Sequence, residues 1–160
     1  MKLVTVVACL SLLVAGVPLI AQEKKDHQML TPEEMKWAAG PAALPKGSQV
    51  TVLKGNPAEE GVFTIRVRMP ANYRIPAHWH PAFENITVIE GSFSMGLGDR
   101  FDEASLHEMK VGAFMTMSPG TRHFGMAKNG AVIQLHGMGP WQVYYVNAAD
   151  DPRRPAVPPK

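Results

Sequence analysis

The chain has 160 residues, of which 46% are hydrophobic and 19% are charged, and its formal net charge at pH 7 is +2. This length and apolar content fit one compact domain and leave no room for two. The 16 basic and 14 acidic side chains form no run of three or more like charges, and a basic pair, Arg153-Arg154, lies near the C-terminus. A protein that follows a phosphate backbone needs a basic face, so nucleic acid is not expected as a partner.

The first 21 residues have the pattern of an export signal. Lys2 gives a short positive start, an apolar run extends from Leu3 to Ile20, and Ala21 precedes the polar run QEKKDHQ. A signal peptide over residues 1–21 is therefore predicted, which places the protein in the periplasm or outside the cell. The alternative is an uncleaved membrane anchor, because an apolar run of about 18 residues is near the lower limit for crossing a bilayer.

The chain has one cysteine, Cys9, and it falls inside the predicted signal. After cleavage neither a disulfide nor a thiolate ligand remains. Any metal must then be bound by nitrogen and oxygen atoms.

The two ends of the predicted mature chain lack strand patterns. Residues 22–47 contain the helix signature Thr31-Pro32-Glu33-Glu34, with threonine at the N-cap and glutamate three residues later. The helix should be short, because Gly40-Pro41 and Pro45 stop it. Residues 150–160, DDPRRPAVPPK, predict a proline-rich tail that is extended or disordered.

The pattern of the central part of the chain indicates β-strands. Short apolar runs alternate there with turn residues such as Glu90-Gly91, Pro119-Gly120 and Asn129-Gly130. Eight or nine strands at this spacing predict an antiparallel sandwich or barrel. The predicted strands are Val50–Leu53, Val62–Met69, Tyr73–His80, Ile86–Ile89, Ser92–Leu97, Phe114–Met117, His123–Ala127, Ala131–His136 and Trp141–Val146.

The stretch HWHPAFE contains a candidate metal site. His78 and His80 are two residues apart, so in a strand they share one face and their imidazoles can reach one ion. A straight strand would carry Glu84 roughly 20 Å from His78, so the carboxylate joins only if the chain turns. Pro81 favours such a turn, because proline lacks the N–H that continues a ladder. The alternative, that all three are surface residues, does not explain their spacing.

The same stretch resembles the first motif of the cupin superfamily, G-x5-H-x-H-x3-E-x6-G. His78, His80, Glu84 and Gly91 occupy the matching positions. Asn72 stands where the family has its opening glycine, and asparagine also tolerates the left-handed backbone region.

A second stretch, GAFMTMSPGTRHFGMA, resembles the other cupin motif, G-x5-P-x-G-x2-H-x3-N. Gly112, Gly120 and His123 match, Pro119 is displaced by one position, and Ala127 replaces the usual asparagine. The resemblance implies a cupin domain over residues 48–149, with a jelly-roll-like barrel of six to eight strands. It also implies that His78, His80, Glu84 and His123 bind a metal.

Three imidazoles and one carboxylate suit several divalent transition metals. Fe(II), Mn(II), Ni(II), Zn(II) and Cu(II) all accept this donor set, and the affinity order alone does not choose among them. Five or six ligands in total would leave one or two positions for water, dioxygen or a chelating substrate.

Two further residues are candidates for substrate binding or for support of the metal ligands. His136 lies on an apolar strand and could act as a proton carrier, or it could be a core histidine bonded to a backbone carbonyl. Arg74 has the same parity as His78 and His80, so a continuous strand would direct it toward the metal, where it could pair with a substrate carboxylate. The alternative for Arg74 is an exposed position.

The remaining aromatic and methionine side chains have structural interpretations. Trp79 and the cluster Trp141, Tyr144 and Tyr145 are typical of a core or of the interface of a homodimer. The methionines near the motifs are interpreted as flexible side chains that fill space in the core.

Two functions follow from these residues. The first is a metal-dependent enzyme of dioxygenase-like type acting on a small organic substrate, with Glu84 as ligand and proton acceptor. The second is a non-catalytic cupin that binds or senses a small molecule or a metal, because the region is also similar to the cupin-like domain attached to a zinc anti-sigma factor. Fold alone does not decide between the two.

Overall fold

The computed structural model of the protein describes residues 27–154. The predicted signal peptide, residues 1–21, and the end of the predicted tail, residues 155–160, lie outside the described residues. Eight strands and three short 3-10 turns make up the described part, in which no helix is long and apolar enough to cross a membrane. The strands are β1 Ala38–Ala39, β2 Gln49–Lys54, β3 Gly61–Trp79, β4 Glu84–Leu97, β5 His107–Lys110, β6 Phe114–Met117, β7 His123–Gly139 and β8 Tyr144–Tyr145.

All of the strand pairs are antiparallel, as the sequence predicts, and they form one rolled sheet. Its order is β1-β2-β3-β7-β4-β5, while β6 also pairs with β4 and β8 pairs with β3. The three longest strands, β3, β7 and β4, lie side by side at the centre, and the short strands form the edges. This is the predicted jelly-roll-like architecture.

Each of the three central strands covers two of the predicted strands. The turn residues between the predicted pairs bend the strand without ending it, because they adopt positive φ angles within a continuous strand: 60° at Asn72 in β3, 68° at Gly91 in β4 and 90° at Gly130 in β7. The bends lie next to one another, since Gly91 pairs with Ala131. The sheet therefore folds over along one line, and the predicted hairpin break at Asn129-Gly130 is wrong.

The concave face of the folded sheet carries the hydrophobic core. Along β3 the buried side chains alternate from Phe63 to Ile65 and Val67, which is the period of two expected for a strand with one buried face. Ile133 and Leu135 of β7 and Ile86 and Val88 of β4 complete this layer. The candidate functional residues lie against this core, since Ile65, Val67 and Leu135 line the same cavity as His78 and Glu84.

The two end segments differ from the predictions. The predicted N-terminal helix is a single 3-10 turn, Pro32–Glu34, in which the backbone N–H of Thr31 donates to the Glu34 carboxylate at 2.8 Å. The start of the predicted tail is neither extended nor free, because the Arg153 guanidinium donates to the carbonyl of Val143 at 2.9 Å and to Asp151 at 2.7 Å. These contacts hold residues 150–154 against the body of the domain.

Candidate metal centre

The chain reversal that the sequence requires is present. β3 ends at Trp79, residues 81–82 form a bend, and β4 begins at Glu84. The second motif meets the first at this bend, where the N–H of Gly120 donates to the carbonyl of His80 at 2.9 Å. His123 opens β7 and pairs with His78, so the two motifs bring their polar side chains to one place.

A β-bulge sets the direction of the histidines on β3. Ile75 pairs with Gly125 and His78 pairs with His123, so three steps along β3 match two along β7. One extra residue reverses the alternation of side chains, so that Ile75 and His78 face the same side. The bulge contains Pro76, which has no N–H to donate to a ladder.

The three imidazoles have one tautomer fixed by the backbone. Each Nδ1 lies within hydrogen-bond distance of a carbonyl oxygen, which can only accept, so each Nδ1 carries the proton. Each Nε2 then keeps its lone pair for a metal. The acceptors are the carbonyls of Pro76 at 2.7 Å from His78, of Gln142 at 2.7 Å from His80, and of Thr121 at 2.9 Å from His123.

The candidate ligands are buried and lie close together. The histidine nitrogens of the cluster all lie within 4.8 Å of one another, and each of the three side chains is at most 5% exposed. The Glu84 carboxylate adjoins them, with Oε1 at 3.4 Å from His80 Nε2 and Oε2 at 3.1 Å from His123 Nε2. One ion could therefore be held by three nitrogens and one carboxylate.

The protonation states suit a cation. Burial lowers the pKa of His78 to about 3, and the charges of His123 and His80 act in the same direction, so this imidazole is neutral near pH 7. Burial would raise the pKa of Glu84, but the adjoining His123 and His80 side chains outweigh it and hold that pKa well below its usual range. The site thus presents an ionised carboxylate beside at least one neutral imidazole.

Two buried atoms in this cluster lack a partner among the described residues. His80 Nε2 and Glu84 Oε2 are shielded from solvent and make no hydrogen bond. A lone pair and a carboxylate oxygen cost free energy when they are buried without a donor. A divalent cation removes this cost by accepting electron pairs from both, so the residues present fit a transition metal with nitrogen and oxygen ligands.

The cluster lies at one end of a small apolar cavity. The cavity has a volume of about 50 Å³, and the four candidate ligands are its charged or titratable lining residues. Its other walls come from Ile65, Val67, Ile75, Ile86, Phe93 and Leu135, with Met95 and Trp141 at its sides. Such walls exclude water and strengthen the electrostatic interactions inside.

Comparison with known families identifies the family of this chain. Residues 25–141 match the family model described as "ChrR Cupin-like domain". The chain belongs to this cupin family. No curated protein sequence matches it significantly.

Several solved structures share the fold of this cupin. The polyketide cyclase RemF from Streptomyces resistomycificus superimposes with a TM-score of 0.64 at 19% identity, over 79% of this chain and 90% of that one. A protein from Methylibium petroleiphilum, provisionally named an acetylacetone dioxygenase, gives a TM-score of 0.60 at 19% identity, over 83% and 90%. A sugar phosphate isomerase of the cupin superfamily, from Silicibacter pomeroyi, gives a TM-score of 0.57 at 18% identity, over 76% of this chain and 83% of that one. At these identities the likeness shows the fold alone.

Arg74 does not face the candidate metal centre of this cupin. It lies on the outer face of β3, where its guanidinium pairs with Glu103 at 2.8 Å and lies over the ring of Phe101 at 5.1 Å. The β-bulge between Ile75 and His78 explains the error, since parity counted back from His78 is reversed before it. The predicted pocket role of Arg74 is wrong.

His136 also lies outside the cavity. It pairs with Thr64 of β3 and Asn85 of β4, and the inward side chain next to it is that of Leu135. Its carbonyl accepts a hydrogen bond from the Asn85 amide at 3.2 Å, but its imidazole is half-buried on the outer face. The alternation along β7 therefore turns its side chain away from the cavity and from the candidate ligands.

Replacing Arg74 by alanine should leave metal binding intact. The ion pair with Glu103 is about half exposed on both sides, and exposed pairs contribute roughly 0–1 kcal/mol. We expect an Arg74→Ala variant to bind metal with the wild-type stoichiometry and to unfold with a free energy within about 1 kcal/mol of the wild type. Metal analysis and urea denaturation measure both. A loss of metal would contradict the outward position.

Trp141 is a cavity residue that the sequence did not identify. Its ring stacks on the imidazole of His80, with centroids 4.1 Å apart and planes 20° apart, and it also packs against Phe63. Its backbone N–H donates to Pro57 at 2.7 Å, which fixes the start of this segment. The only available signal was an aromatic residue soon after β7, and that signal fits a core position equally well.

Proposed function

We propose that this cupin is an exported, metal-dependent enzyme of dioxygenase-like type that acts on a small organic substrate. The observation that carries the proposal is the convergence of three Nε2 lone pairs and the Glu84 carboxylate at the end of an apolar cavity. The proposed ligands are His78, His80, Glu84 and His123, and the metal is one of Fe, Mn, Ni, Zn or Cu.

A bound divalent metal would supply Lewis-acid polarisation and positions for dioxygen and a chelating substrate. The protein supplies the rest. The carbonyls that accept from the three Nδ1–H groups keep the imidazoles in one orientation, so the ligands need little rearrangement on binding. The role proposed for Glu84 is to bind the metal and, in turn, to accept a proton from a substrate, since its Oε2 is buried and makes no hydrogen bond to another described residue.

The structural neighbours support a small organic substrate. One neighbour is a polyketide cyclase and another is provisionally an acetylacetone dioxygenase. Both names refer to organic molecules that carry oxygen atoms next to an apolar body. The cavity of this chain has the same character, because its polar groups are concentrated at the metal ligands.

An oxygen-uptake experiment tests the proposal. The protein is purified with and without oxygen, loaded separately with Fe(II), Mn(II), Ni(II), Zn(II) and Cu(II), and supplied with diketones, flavonols and small carboxylates. We expect oxygen consumption that requires both a substrate and a redox-active metal, and that is absent with Zn(II). If no loaded form consumes oxygen or converts a substrate, the enzyme proposal is wrong.

The second candidate is a non-catalytic cupin that binds or senses a small molecule or a metal. It is favoured by one observation: among the described residues that line the cavity, no acid or base other than the four proposed ligands is present. Reversible binding of a ligand to the loaded protein, with no change in that ligand, would support it.

Export is the part of the proposal that rests on residues 1–21. The expected result is that the protein accumulates outside the cytoplasm and that its N-terminal residue lies near position 22. Edman degradation of the exported fraction measures this. A secreted chain that still begins at Met1 would contradict cleavage.

A further inference from the structure

We infer that the substrate enters the metal cavity past the side chain of Met95, from a groove at the edge of the roll, and that it is an uncharged molecule with a compact oxygen-bearing end and an apolar body. This inference deepens the proposed function and rests on it. The methionine groove is defined by Met95, Met109, Met115 and Met117, with Ser105 and His107 at its rim.

The metal cavity is too small to hold an organic substrate as it stands. A water molecule needs at least 10–15 Å³ of such volume, so a cavity of about 50 Å³ has room for only a few atoms besides an ion. The methionine groove is much larger, at about 660 Å³. A substrate with more than a few heavy atoms must therefore lie partly in the groove while its reactive end reaches the metal.

Met95 is the residue that lines both spaces. It belongs to the wall of the metal cavity together with Phe93 and Glu84, and to the wall of the groove together with Met109 and Met115. Its side chain is half-buried on β4, where it pairs with His107 of β5. Displacing this single side chain would join the two spaces.

Met95 is also easier to displace than the opposite wall. Methionine is unbranched and has three rotatable bonds, so it changes rotamer at low cost. Ile65 and Val67 across the cavity are branched and lie on β3, which pairs with β2 on one side and β7 on the other. Met95 lies on β4, which pairs with β7 on one side but with only a four-residue edge strand, β5, on the other.

The side of the cavity that faces the N-terminal segment is a poorer entrance. Pro41 and Leu44 close it. Their segment is held by the N–H of Gly40, which donates to Ser48 at 2.8 Å, and by the hydroxyl of Tyr145, which donates to Ala43 at 2.8 Å. The hydroxyl of Tyr73 adds a third hydrogen bond, to Pro45. Opening this side would break several hydrogen bonds, whereas the side chain of Met95 makes none to the described residues.

The lining of the groove defines the class of substrate. Four thioether side chains offer an apolar, polarisable surface, and no lysine, arginine, aspartate or glutamate is among the described residues that line it. A charged body would lose its hydration there without gaining a partner. The groove also carries the hydroxyls of Ser105, Thr116, Ser118 and Thr121 and the imidazole of His107, whereas the carboxylate and the other proposed metal ligands lie in the cavity. The oxygen atoms that bind the metal should therefore lie at one end of the substrate.

The test follows ligand binding to the cobalt-loaded protein by its visible absorption. The probes are azide, which has three atoms, and benzohydroxamate, which has a chelating oxygen pair on an aromatic ring. We expect Met95→Ala to speed benzohydroxamate association by about tenfold, and Met95→Ile to slow it, because a β-branched chain of similar size cannot swing aside. Azide association should be unchanged in both variants.

Two further variants make the result decisive. Met138→Ala removes an exposed methionine from the outer face and should leave the association rates of both probes unchanged. Leu44→Ala opens the N-terminal side instead. The entry route is overturned if Leu44→Ala speeds the association of benzohydroxamate and Met95→Ala does not. It is also overturned if Met95→Ala speeds the association of azide as much as that of benzohydroxamate. Because the readout is binding, a protein that converts no substrate would refute the enzyme proposal without affecting this result.

Discussion

A variant in which His78 and His80 are both replaced by alanine is expected to bind no divalent metal after dialysis, whereas the wild type retains one ion per chain. The double replacement removes two of the four proposed ligands and leaves His123 and Glu84 alone. A divalent ion held by only two protein ligands dissociates readily, and metal binding contributes directly to the stability of the folded state. The wild type should therefore lose thermal stability when treated with a chelator, and the double variant should not.

Metal analysis of both proteins and melting curves with and without chelator measure this effect. His136→Ala is the matched control, because it removes a half-buried imidazole from β7, the strand that also carries His123, but on the outer face. It should retain one metal per chain. A double variant that still binds one metal per chain would show that the site lies elsewhere.

Replacing Gly91 by alanine is expected to destabilise the fold by roughly 2–5 kcal/mol, combining left-handed backbone strain with displacement of a packed neighbour. Gly91 has a φ of 68°, and a Cβ atom there would lie 2.3 Å from the carbonyl oxygen of Gly130. The contact is with the backbone of β7 at the line along which the sheet bends. Neither strand can move aside without breaking its pairing on the other side.

Gly112→Ala provides the comparison. Gly112 also has a positive φ, 85°, but a Cβ atom there would meet nothing within 4 Å. Its replacement should cost only the left-handed strain, about 1–2 kcal/mol. Urea denaturation of both variants without metal measures the difference, since a bound ligand would add its own stabilisation. Equal destabilisation by the two replacements would contradict the role of Gly91 at the bend.

Three of the proposed metal ligands, His78, His80 and Glu84, were predictable because their placement depends on short-range geometry. His78 and His80 share a strand face whatever the rest of the fold does, and Glu84 can approach them only if the chain turns at Pro81. The structure contains that turn, and the second motif delivers His123 opposite His78. The positive φ at Asn72 was likewise foreseeable, because asparagine tolerates this region better than most residues.

The length of the strands was harder to predict. Asn129-Gly130 and Glu90-Gly91 have the composition of hairpin turns, but in this fold they bend continuous strands. A positive φ reverses or bends a chain depending on whether the flanking residues keep their partners in the neighbouring strand. Those partners, such as Ala131 for Gly91, lie about 40 positions away along the chain.

The sequence by itself determined the all-β class and the nitrogen and oxygen character of the site, because periodicity, turns and residue type act locally. The set of four proposed ligands came from the resemblance of its two motifs to those of the cupin superfamily. Only the tertiary structure decided which side chains surround those ligands. One bulge before His78 turns Arg74 outward, the alternation on β7 turns His136 away, and Trp141 packs on His80 from a segment 60 residues later. The position of Met95 between the metal cavity and the methionine groove follows from the same long-range register. Strand register depends on the packing of distant strands against one another, so a local sequence pattern does not determine it.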